Sequence, residues 1–205
     1  MKVNSEIFCA YDIRGIAGKE LTEEGIFYIG KAIGTLILSE GRKSLLTARD
    51  GRISGPSLLR SFQEGVLATG CNVADLGLVP TPLLYFATFK TKIPDGVMLT
   101  GSHNPKNYNG LKIVIDKKSM TSQKIEEIKN MISNDNYFNG SGKMSQLEIK
   151  KDYLIELQEK IRLDSKFKVC LDCGNGAGGL VAPDAFKNLG INLIEMFSNV
   201  DGEFP

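Results

Sequence analysis

The stretch LTGSHNPKNYNGLKI, residues 99–113, holds the residue types of this chain that are best suited to chemistry. It contains the single histidine, His103, directly after Ser102. A serine beside a histidine suggests a nucleophile and its general base. A catalytic triad, however, needs a G-x-S-x-G elbow and a histidine supplied from elsewhere in the fold. Ser102 lies in no such elbow and the chain has no second histidine, so the sequence argues against a serine hydrolase.

Two other roles for Ser102 remain. Serine, asparagine and proline all favour turns, so Ser102, Asn104 and Pro105 could simply build one. Two cations favour phosphoryl chemistry instead. Lys112 follows within the apolar run GLKIVI, and Arg14 lies in AYDIRG, a compact segment before the first helix. Arginine suits bidentate contact with phosphate, and lysine neutralises it as a point charge. Either cation alone would more often be a surface charge, so the hypothesis depends on the combination.

A glycine-rich motif offers a competing chemistry. GNGAGG, residues 174–179, fits the dinucleotide-binding pattern G-x-G-x-x-G, and Glu195 ends the following strand. However, Pro183 and Asp184 place the predicted helix start several residues beyond the last glycine, so a phosphate would not lie at the helix N-terminus. The sequence therefore favours a tight glycine turn over a nucleotide site.

The cysteines also allow two interpretations. Cys170 and Cys173 form a C-x-x-C pair, whose redox-active form lies at a helix N-terminus. Here Cys170 falls within an apolar strand pattern, and strand alternation would turn the two thiols apart. Together with Cys9 and Cys71 they are too few and scattered for a disulfide framework. We interpret Cys170 and Cys173 as structural thiols.

Composition excludes several classes of protein. The 205 residues are 42% hydrophobic and 24% charged, which is ordinary for a globular domain. The net charge of +1, from 25 Lys and Arg against 24 Asp and Glu, lacks the basic excess of a nucleic-acid-binding protein. No stretch is typical of a signal peptide or of a membrane span of roughly 18 apolar residues. We expect a cytoplasmic protein with no nucleic-acid or membrane partner.

Alternating strand and helix patterns must position these residues. Helices are predicted over residues 21–41, 53–70, 79–89, 121–133, 150–161 and 182–190. Strands are predicted over residues 44–48, 72–77, 95–100, 110–115, 167–172 and 191–197. Such alternation indicates an α/β fold with a mainly parallel sheet. The polar stretch over residues 134–146, rich in glycine and asparagine, is predicted to be a linker.

Five blocks of sequence resemble the α-D-phosphohexomutase family, most closely its bacterial phosphomannomutase/phosphoglucomutase group. They are FCAYDIRGIAG, GRISGPSL, GLVPTPLLYF, GVMLTGSHNPKNYNGLKIVI and LDCGNGAGG, and the resemblance runs from about Phe8 to Pro205. TGSHNP followed by YNGLKI is its most specific element. The resemblance implies a mixed, mainly parallel sheet flanked by helices, with domain 1 over residues 1–147 and an incomplete, related domain 2 over residues 148–205.

The resemblance also implies a mechanism. Ser102 matches a serine that carries a phosphoryl group and exchanges it with a hexose 1- or 6-phosphate, through a hexose 1,6-bisphosphate intermediate. Arg14 and Lys112 match a basic pair that assists proton transfer and stabilises charge near the phosphoserine. His103 matches a residue that flanks the serine within reach of the transferring group. These four residues are the expected catalytic set.

Substrate and metal follow from the same resemblance. Asn104 and Tyr11 match positions that bind the phosphosugar substrate, Tyr11 by lining the sugar site. Mg²⁺ is expected to bind Ser102 through a phosphoryl oxygen only. Arg49 and Arg52 could add to the positive field of the cleft, but as loop charges before a helix they are interpreted as structural or solvated.

Part of the family pattern lies outside this chain. The family's DGDGDR-type loop gives three aspartates to Mg²⁺, and no D-x-D-x-D occurs here. Of the family block DGxFPxHxPxP, this sequence contains only the first five positions, DGEFP. We therefore expect the N-terminal part of a mutase, inactive alone, whose partners are the missing C-terminal domains of the same enzyme. The alternative is a non-catalytic chain that retains the serine domain for phosphosugar binding or assembly.

Overall fold

The computed structural model describes residues 3–163 and 167–205, and their strands form two sheets. The strands are β1 Ile13–Ile16, β2 Ser44–Arg49, β3 Asn72–Leu78, β4 Gly96–Leu99, β5 Tyr108–Ile115, β6 Lys118–Ser119, β7 Met144–Gln146, β8 Lys168–Asp172 and β9 Asn192–Met196. The helices are α1 Glu23–Ser39, α2 Gly55–Leu67, α3 Thr81–Lys90, α4 Ser122–Ser133, α5 Lys150–Lys160 and α6 Ala182–Asn188. Residues 1–2 of the predicted first domain and 164–166 of the predicted second domain lie outside this description.

The predicted helices are all present, and local signals explain their ends. The N-cap residue of α1 is Thr22, whose hydroxyl accepts a hydrogen bond from the Gly25 amide at 3.1 Å. Two acidic residues, Glu23 and Glu24, occupy its first turn, where the helix dipole favours negative charge. Gly41 follows the helix end with φ +77°, a conformation that glycine adopts without strain. The expected stop at Gly41 is therefore confirmed.

The larger sheet is mixed, in the order β1-β5-β4-β2-β3-β7, with β6 attached to β5. Strands β4, β2, β3 and β7 run parallel to one another, while β5 is antiparallel to both β1 and β4. Helices cover both faces. This arrangement confirms the predicted fold class. The sequence pattern missed β1, β6 and β7, which are two to four residues long and, unlike the fully buried β4, carry polar or glycine positions that interrupt any apolar run.

Two apolar clusters lie on opposite faces of this sheet. One packs α1, α2 and α4 on side chains such as Leu111 and Ile113, and the other packs α3 on side chains such as Met98 and Leu46. Lys112 stands between Leu111 and Ile113 on β5, so alternation turns its side chain to the α3 face. The prediction that Lys112 lies on the opposite face of β5 from Leu111 and Ile113 is confirmed.

The predicted linker over residues 134–146 is wrong. The amides of Gly140 and Gly142 donate to the carbonyl oxygens of Ala68 and Leu67 at 2.9 and 2.8 Å, and β7 then pairs with β3. A Cβ on Gly142 would lie 2.0 Å from the Cys71 carbonyl oxygen. The glycines of this stretch therefore permit close backbone contact, and the stretch extends the larger sheet.

The second sheet pairs β8 and β9 in parallel, with α5 and α6 beside it. The glycine-rich motif leads into a short 3-10 turn over Ala177–Leu180, and α6 begins only at Ala182. This is a glycine turn, as favoured from the sequence. Cys170 and Cys173 face different partners, with Sγ atoms 3.2 Å from the Met196 sulfur and 3.7 Å from the Ser198 hydroxyl respectively.

No helix in the described part of the chain combines the length and hydropathy that a membrane crossing requires.

Candidate active site

Ser102 lies in the serine loop, which we define as residues 100–107 between β4 and β5. Its side chain is exposed, and its φ of +52° lies in the left-handed region. That conformation costs a residue other than glycine about 1–2 kcal/mol, so surrounding contacts must enforce it. The Ser102 amide donates to the Thr100 hydroxyl at 2.9 Å, and that hydroxyl donates to Asp50 at 2.6 Å.

Arg52 lies beneath the serine loop and is only 2% exposed. Its guanidinium donates to four carbonyl oxygens, those of Ser102, Asn104, Pro105 and Tyr108, at 2.6–3.0 Å. These contacts bury Arg52 against the loop backbone. Of the two interpretations from the sequence, structural or solvated, the structural one is therefore the observed one.

Arg49, which the sequence treated in the same way as Arg52, is half-buried at the end of β2. Its Nη1 atom donates to the Asp50 carbonyl oxygen at 3.1 Å. It lines neither of the two recesses described below.

His103 lies beside the serine but does not form a triad with it. Its Nδ1 atom is 3.4 Å from the Ser102 hydroxyl oxygen, the long limit for a hydrogen bond, and both side chains are exposed. Within residues 3–163 and 167–205, no carboxylate hydrogen bond or ion pair to the ring is found. The geometry therefore agrees with the argument against a hydrolase.

The two predicted cations lie on the same face of the sheet because of strand register. Arg14 on β1 stands opposite Gly110 on β5, and Lys112 is two residues further along β5. Residues two apart on a strand share a face. Both side chains line one shallow recess with Ser102 and Asn104. Four of the predicted site residues are thus brought together from three separate segments.

Asp12 holds Arg14 in place, and sequence reasoning gave it no role. The guanidinium donates to both carboxylate oxygens of Asp12, at 2.6 and 3.2 Å. The hydrogen bond and charge of Asp12 raise the pKa of Arg14. Arg14 is therefore an oriented, permanently charged group. The signal available in the sequence was the spacing D-x-R, which places the two residues on one side of an extended segment.

Tyr11 is not brought to the site. Its side chain is 69% exposed, and it lines neither recess next to Ser102 in the described structure. Its predicted contact with a sugar stays a prediction. Asn104, by contrast, lines both recesses.

A second and larger recess, of about 530 Å³, lies between the serine loop and the C-terminal segment, which we define as residues 198–205. Lys106 of the loop pairs with Glu203 at 2.5 Å. The Phe204 ring centre lies 5.5 Å from the Arg52 guanidinium carbon. The C-terminal segment therefore forms one wall of the space above Ser102.

The residues around Ser102 do not form a magnesium site by themselves. The nearby carboxylates already have partners, Asp12 with Arg14 and Asp50 with Thr100 and Arg52. No group of three or more His, Cys, Asp or Glu side chains placed to hold a metal is found in the described residues. No chemical step is therefore derived through a metal here.

Comparison with known proteins shows which family the chain is similar to. The family model for phosphoglucomutase/phosphomannomutase, alpha/beta/alpha domain I, matches residues 5–138. A phosphomannomutase/phosphoglucomutase of Pseudomonas aeruginosa is 41% identical over 201 residues, which cover 98% of this chain and 43% of that protein. The relative from Pseudomonas putida is 44% identical over 199 residues, covering 97% and 43%.

A solved structure gives the same result. The crystal structure of a phosphoglucomutase/phosphomannomutase family protein from Burkholderia thailandensis matches with a TM-score of 0.96 and 36% identity, covering 99% of this chain and 46% of that one. These matches agree with the mixed α/β fold described above. The chain belongs to the phosphoglucomutase/phosphomannomutase family. It corresponds to the N-terminal portion of these relatives and spans about 43% of their length.

Proposed function

We propose that Ser102 is the phosphoryl carrier of a phosphohexomutase, and that this chain supplies the serine loop and its basic pair to that enzyme. One observation carries the proposal: an exposed serine, held in a left-handed conformation, lines one recess with Arg14 and Lys112. The reaction would interconvert hexose 1- and 6-phosphates of glucose or mannose through a hexose 1,6-bisphosphate. The names of the relatives support this choice of sugars.

The proposed transfer breaks the bond between phosphorus and the Ser102 hydroxyl oxygen and forms a bond between phosphorus and a sugar hydroxyl oxygen. The sugar hydroxyl loses a proton and the serine oxygen gains one. A phosphoserine carries about −1.5 to −2 charge, so its transfer depends on fixed cations. Arg14, oriented by its two hydrogen bonds to Asp12, supplies one such charge. Lys112 supplies the second, and His103 is within reach of the serine oxygen to hold a proton.

Substrate and metal complete the proposal. We propose that Asn104 and Tyr11 contact the phosphosugar, and that Mg²⁺ binds a phosphoryl oxygen on Ser102. The remaining metal ligands would come from C-terminal domains of the same enzyme, since Asp12 and Asp50 are engaged elsewhere. Bound Mg²⁺ would neutralise part of the phosphoryl charge.

The proposal predicts phosphate uptake at one serine. After prolonged incubation with glucose 1,6-bisphosphate and Mg²⁺, we expect a fraction of the chain to be heavier by one phosphoryl group, because a single slow transfer per molecule is enough for detection even without a complete set of metal ligands. Ser102→Ala removes the proposed acceptor oxygen and should show none. Ser141→Ala, at an exposed serine outside the site, is the matched control and should behave like the parent. Uptake that persists in Ser102→Ala would overturn the assignment.

The chain alone is expected to lack mutase turnover. The reason is that the described carboxylates near Ser102 already have partners: Asp12 pairs with Arg14, Asp50 with Thr100 and Arg52, and Glu203 with Lys106. The described residues contain no group of three or more side chains placed to hold a metal. A coupled assay for interconversion of glucose or mannose 1- and 6-phosphates, with added Mg²⁺, measures this directly. Turnover above the buffer rate would show the expectation to be wrong. Binding of a phosphosugar with no phosphate uptake would favour a non-catalytic binding chain instead.

A further inference from the structure

We infer that Arg52 is the positioning residue of the serine loop: it fixes the loop backbone so that Ser102 stays in the recess of Arg14 and Lys112. The inference rests on the proposed role of Ser102. It concerns a residue that acts through the loop backbone, because its guanidinium, which lines the larger recess, is only 2% exposed and donates to carbonyl oxygens of the loop.

The contacts of Arg52 span the whole serine loop. Its Nη2 atom donates to the Ser102 and Asn104 carbonyl oxygens at 3.0 and 2.7 Å, and its Nη1 atom donates to those of Pro105 and Tyr108 at 2.6 and 2.9 Å. A planar guanidinium can bridge four acceptors spread over seven residues. A lysine ammonium is a single point of three donors and could not reach them all.

These contacts also set the direction of the peptide that follows the serine. The described peptide bonds are trans. In a planar trans peptide the C=O and N–H point in opposite directions. Because the Ser102 carbonyl points at Arg52, the His103 amide points away from it, toward the exposed side of the loop. Arg52 thereby fixes the direction of the His103 amide.

A second chain of contacts ties Arg52 to the Ser102 amide. The Asp50 carboxylate accepts from the Arg52 amide at 3.1 Å and lies 3.4 Å from the Arg52 Nε atom. The same carboxylate accepts from the Thr100 hydroxyl, which in turn accepts from the Ser102 amide. Ser102 is therefore held at its carbonyl directly by Arg52 and at its amide through Asp50 and Thr100.

The space around the guanidinium is shaped to fit it. A Cβ on Gly101 would lie 2.4 Å from the Arg52 Cζ atom, so the residue before the serine must be glycine for the arginine to fit. The Phe204 ring of the C-terminal segment lies 5.5 Å from the same carbon. Arg52 thus links the serine loop to the segment that walls the larger recess.

Amide hydrogen exchange on the 205-residue chain tests the inference without requiring turnover. The Asn104 amide within the loop and the Tyr108 amide at the start of β5 each donate to a loop carbonyl oxygen at 3.0 Å, and both report the order of the loop. In Arg52→Ala and Arg52→Lys we expect both to exchange about tenfold faster or more, since charge-assisted hydrogen bonds are lost. The Leu46 amide in β2 should keep its rate and shows that the variant is folded. Arg60→Ala, at an exposed arginine of α2, is the control and should change neither the exchange of the two reporter amides nor that of the Leu46 amide.

Chemical rescue of Arg52→Ala distinguishes a positioning role of Arg52 from a general contribution of Arg52 to folding. Millimolar guanidinium ion added to Arg52→Ala should restore loop protection and the rate of phosphate uptake, whereas equal urea, which is neutral, should restore neither. Unchanged Asn104 and Tyr108 exchange in both variants would overturn the inference, and so would failure of guanidinium to restore protection in a folded variant. If the parent chain takes up no phosphate while the exchange results hold, the proposed function fails and the positioning role of Arg52 stands.

Discussion

Gly65→Ala is expected to destabilise the protein by about 3 kcal/mol or more, because α1 and α2 touch there through their backbones. A Cβ on Gly65 would lie 2.1 Å from the Phe27 carbonyl oxygen, and one on Gly30 would lie 2.3 Å from that of Phe62. Backbone atoms inside two packed helices cannot move aside locally. The helices would have to separate, which would open the core around Phe62. Native domains are stable by only about 5–15 kcal/mol, so the loss is a large share.

Urea unfolding followed by circular dichroism measures this effect. The matched control is Gly178→Ala, since a Cβ there would meet nothing within 4 Å. We expect the Gly178→Ala midpoint to stay close to that of the parent and the Gly65→Ala midpoint to fall well below it. Equal midpoints for the two variants would show that α1 and α2 do not pack as closely as described.

Arg42→Met is expected to cost about 3 kcal/mol at neutral pH, because it leaves Asp95 buried without its cation. The Asp95 side chain is fully buried, and its Oδ2 atom lies 2.5 Å from the Arg42 Nε atom. The two atoms approach away from the ideal hydrogen-bond direction, so the attraction is mainly between charges. Arg42 also pairs with Glu40, which in turn pairs with Lys124 on α4.

The loss in Arg42→Met should shrink as the pH falls. Burial raises the pKa of Asp95 above 3.8 and outweighs the lowering by the Asp116 amide and Arg42. An acid whose pKa is higher in the folded protein than in the unfolded chain stabilises the fold while it is protonated. That stabilisation is complete at pH values below the unfolded-state pKa and is lost as the pH rises through the folded-state pKa. Removing Arg42 raises that pKa further, so protonation relieves the variant more than the parent.

Unfolding free energies of Arg42→Met and the parent, compared at neutral pH and at about pH 5, check this dependence. Arg60→Met, at an exposed arginine, is the control and should differ from the parent by about 0.5 kcal/mol at most. A deficit in Arg42→Met that grew on acidification would contradict the described environment of Asp95.

The sequence predicted the parts of the fold that depend on local pattern. The apolar alternation of β5 placed Lys112 on the opposite face from Leu111 and Ile113, and the structure confirms it. What the sequence could not show is register between distant segments. Arg14 reaches the recess because β1 pairs with β5 about one hundred residues later, opposite Gly110, and no local pattern encodes that pairing.

Arg52 and the predicted linker show a second limit, since composition does not report contacts. In the sequence, Arg52 is one of several charged loop residues. The structure shows that carbonyl oxygens of the serine loop surround its guanidinium. Composition predicts a linker over residues 134–146, but glycine occurs both in linkers and in tightly packed backbone. The close approach of Gly142 to the Cys71 carbonyl oxygen identifies this stretch as tightly packed backbone, and that approach is visible only in the structure.

The central claim is that Ser102 carries the phosphoryl group, and locating that group in the chain tests it most directly. Tryptic cleavage after Lys92 and Lys106 yields a peptide over residues 93–106 with one serine, one threonine and one histidine. After incubation with glucose 1,6-bisphosphate and Mg²⁺, fragmentation of this peptide should place a single acid-stable phosphate on Ser102. A phosphate on Thr100, or an acid-labile phosphate on His103, would contradict the account.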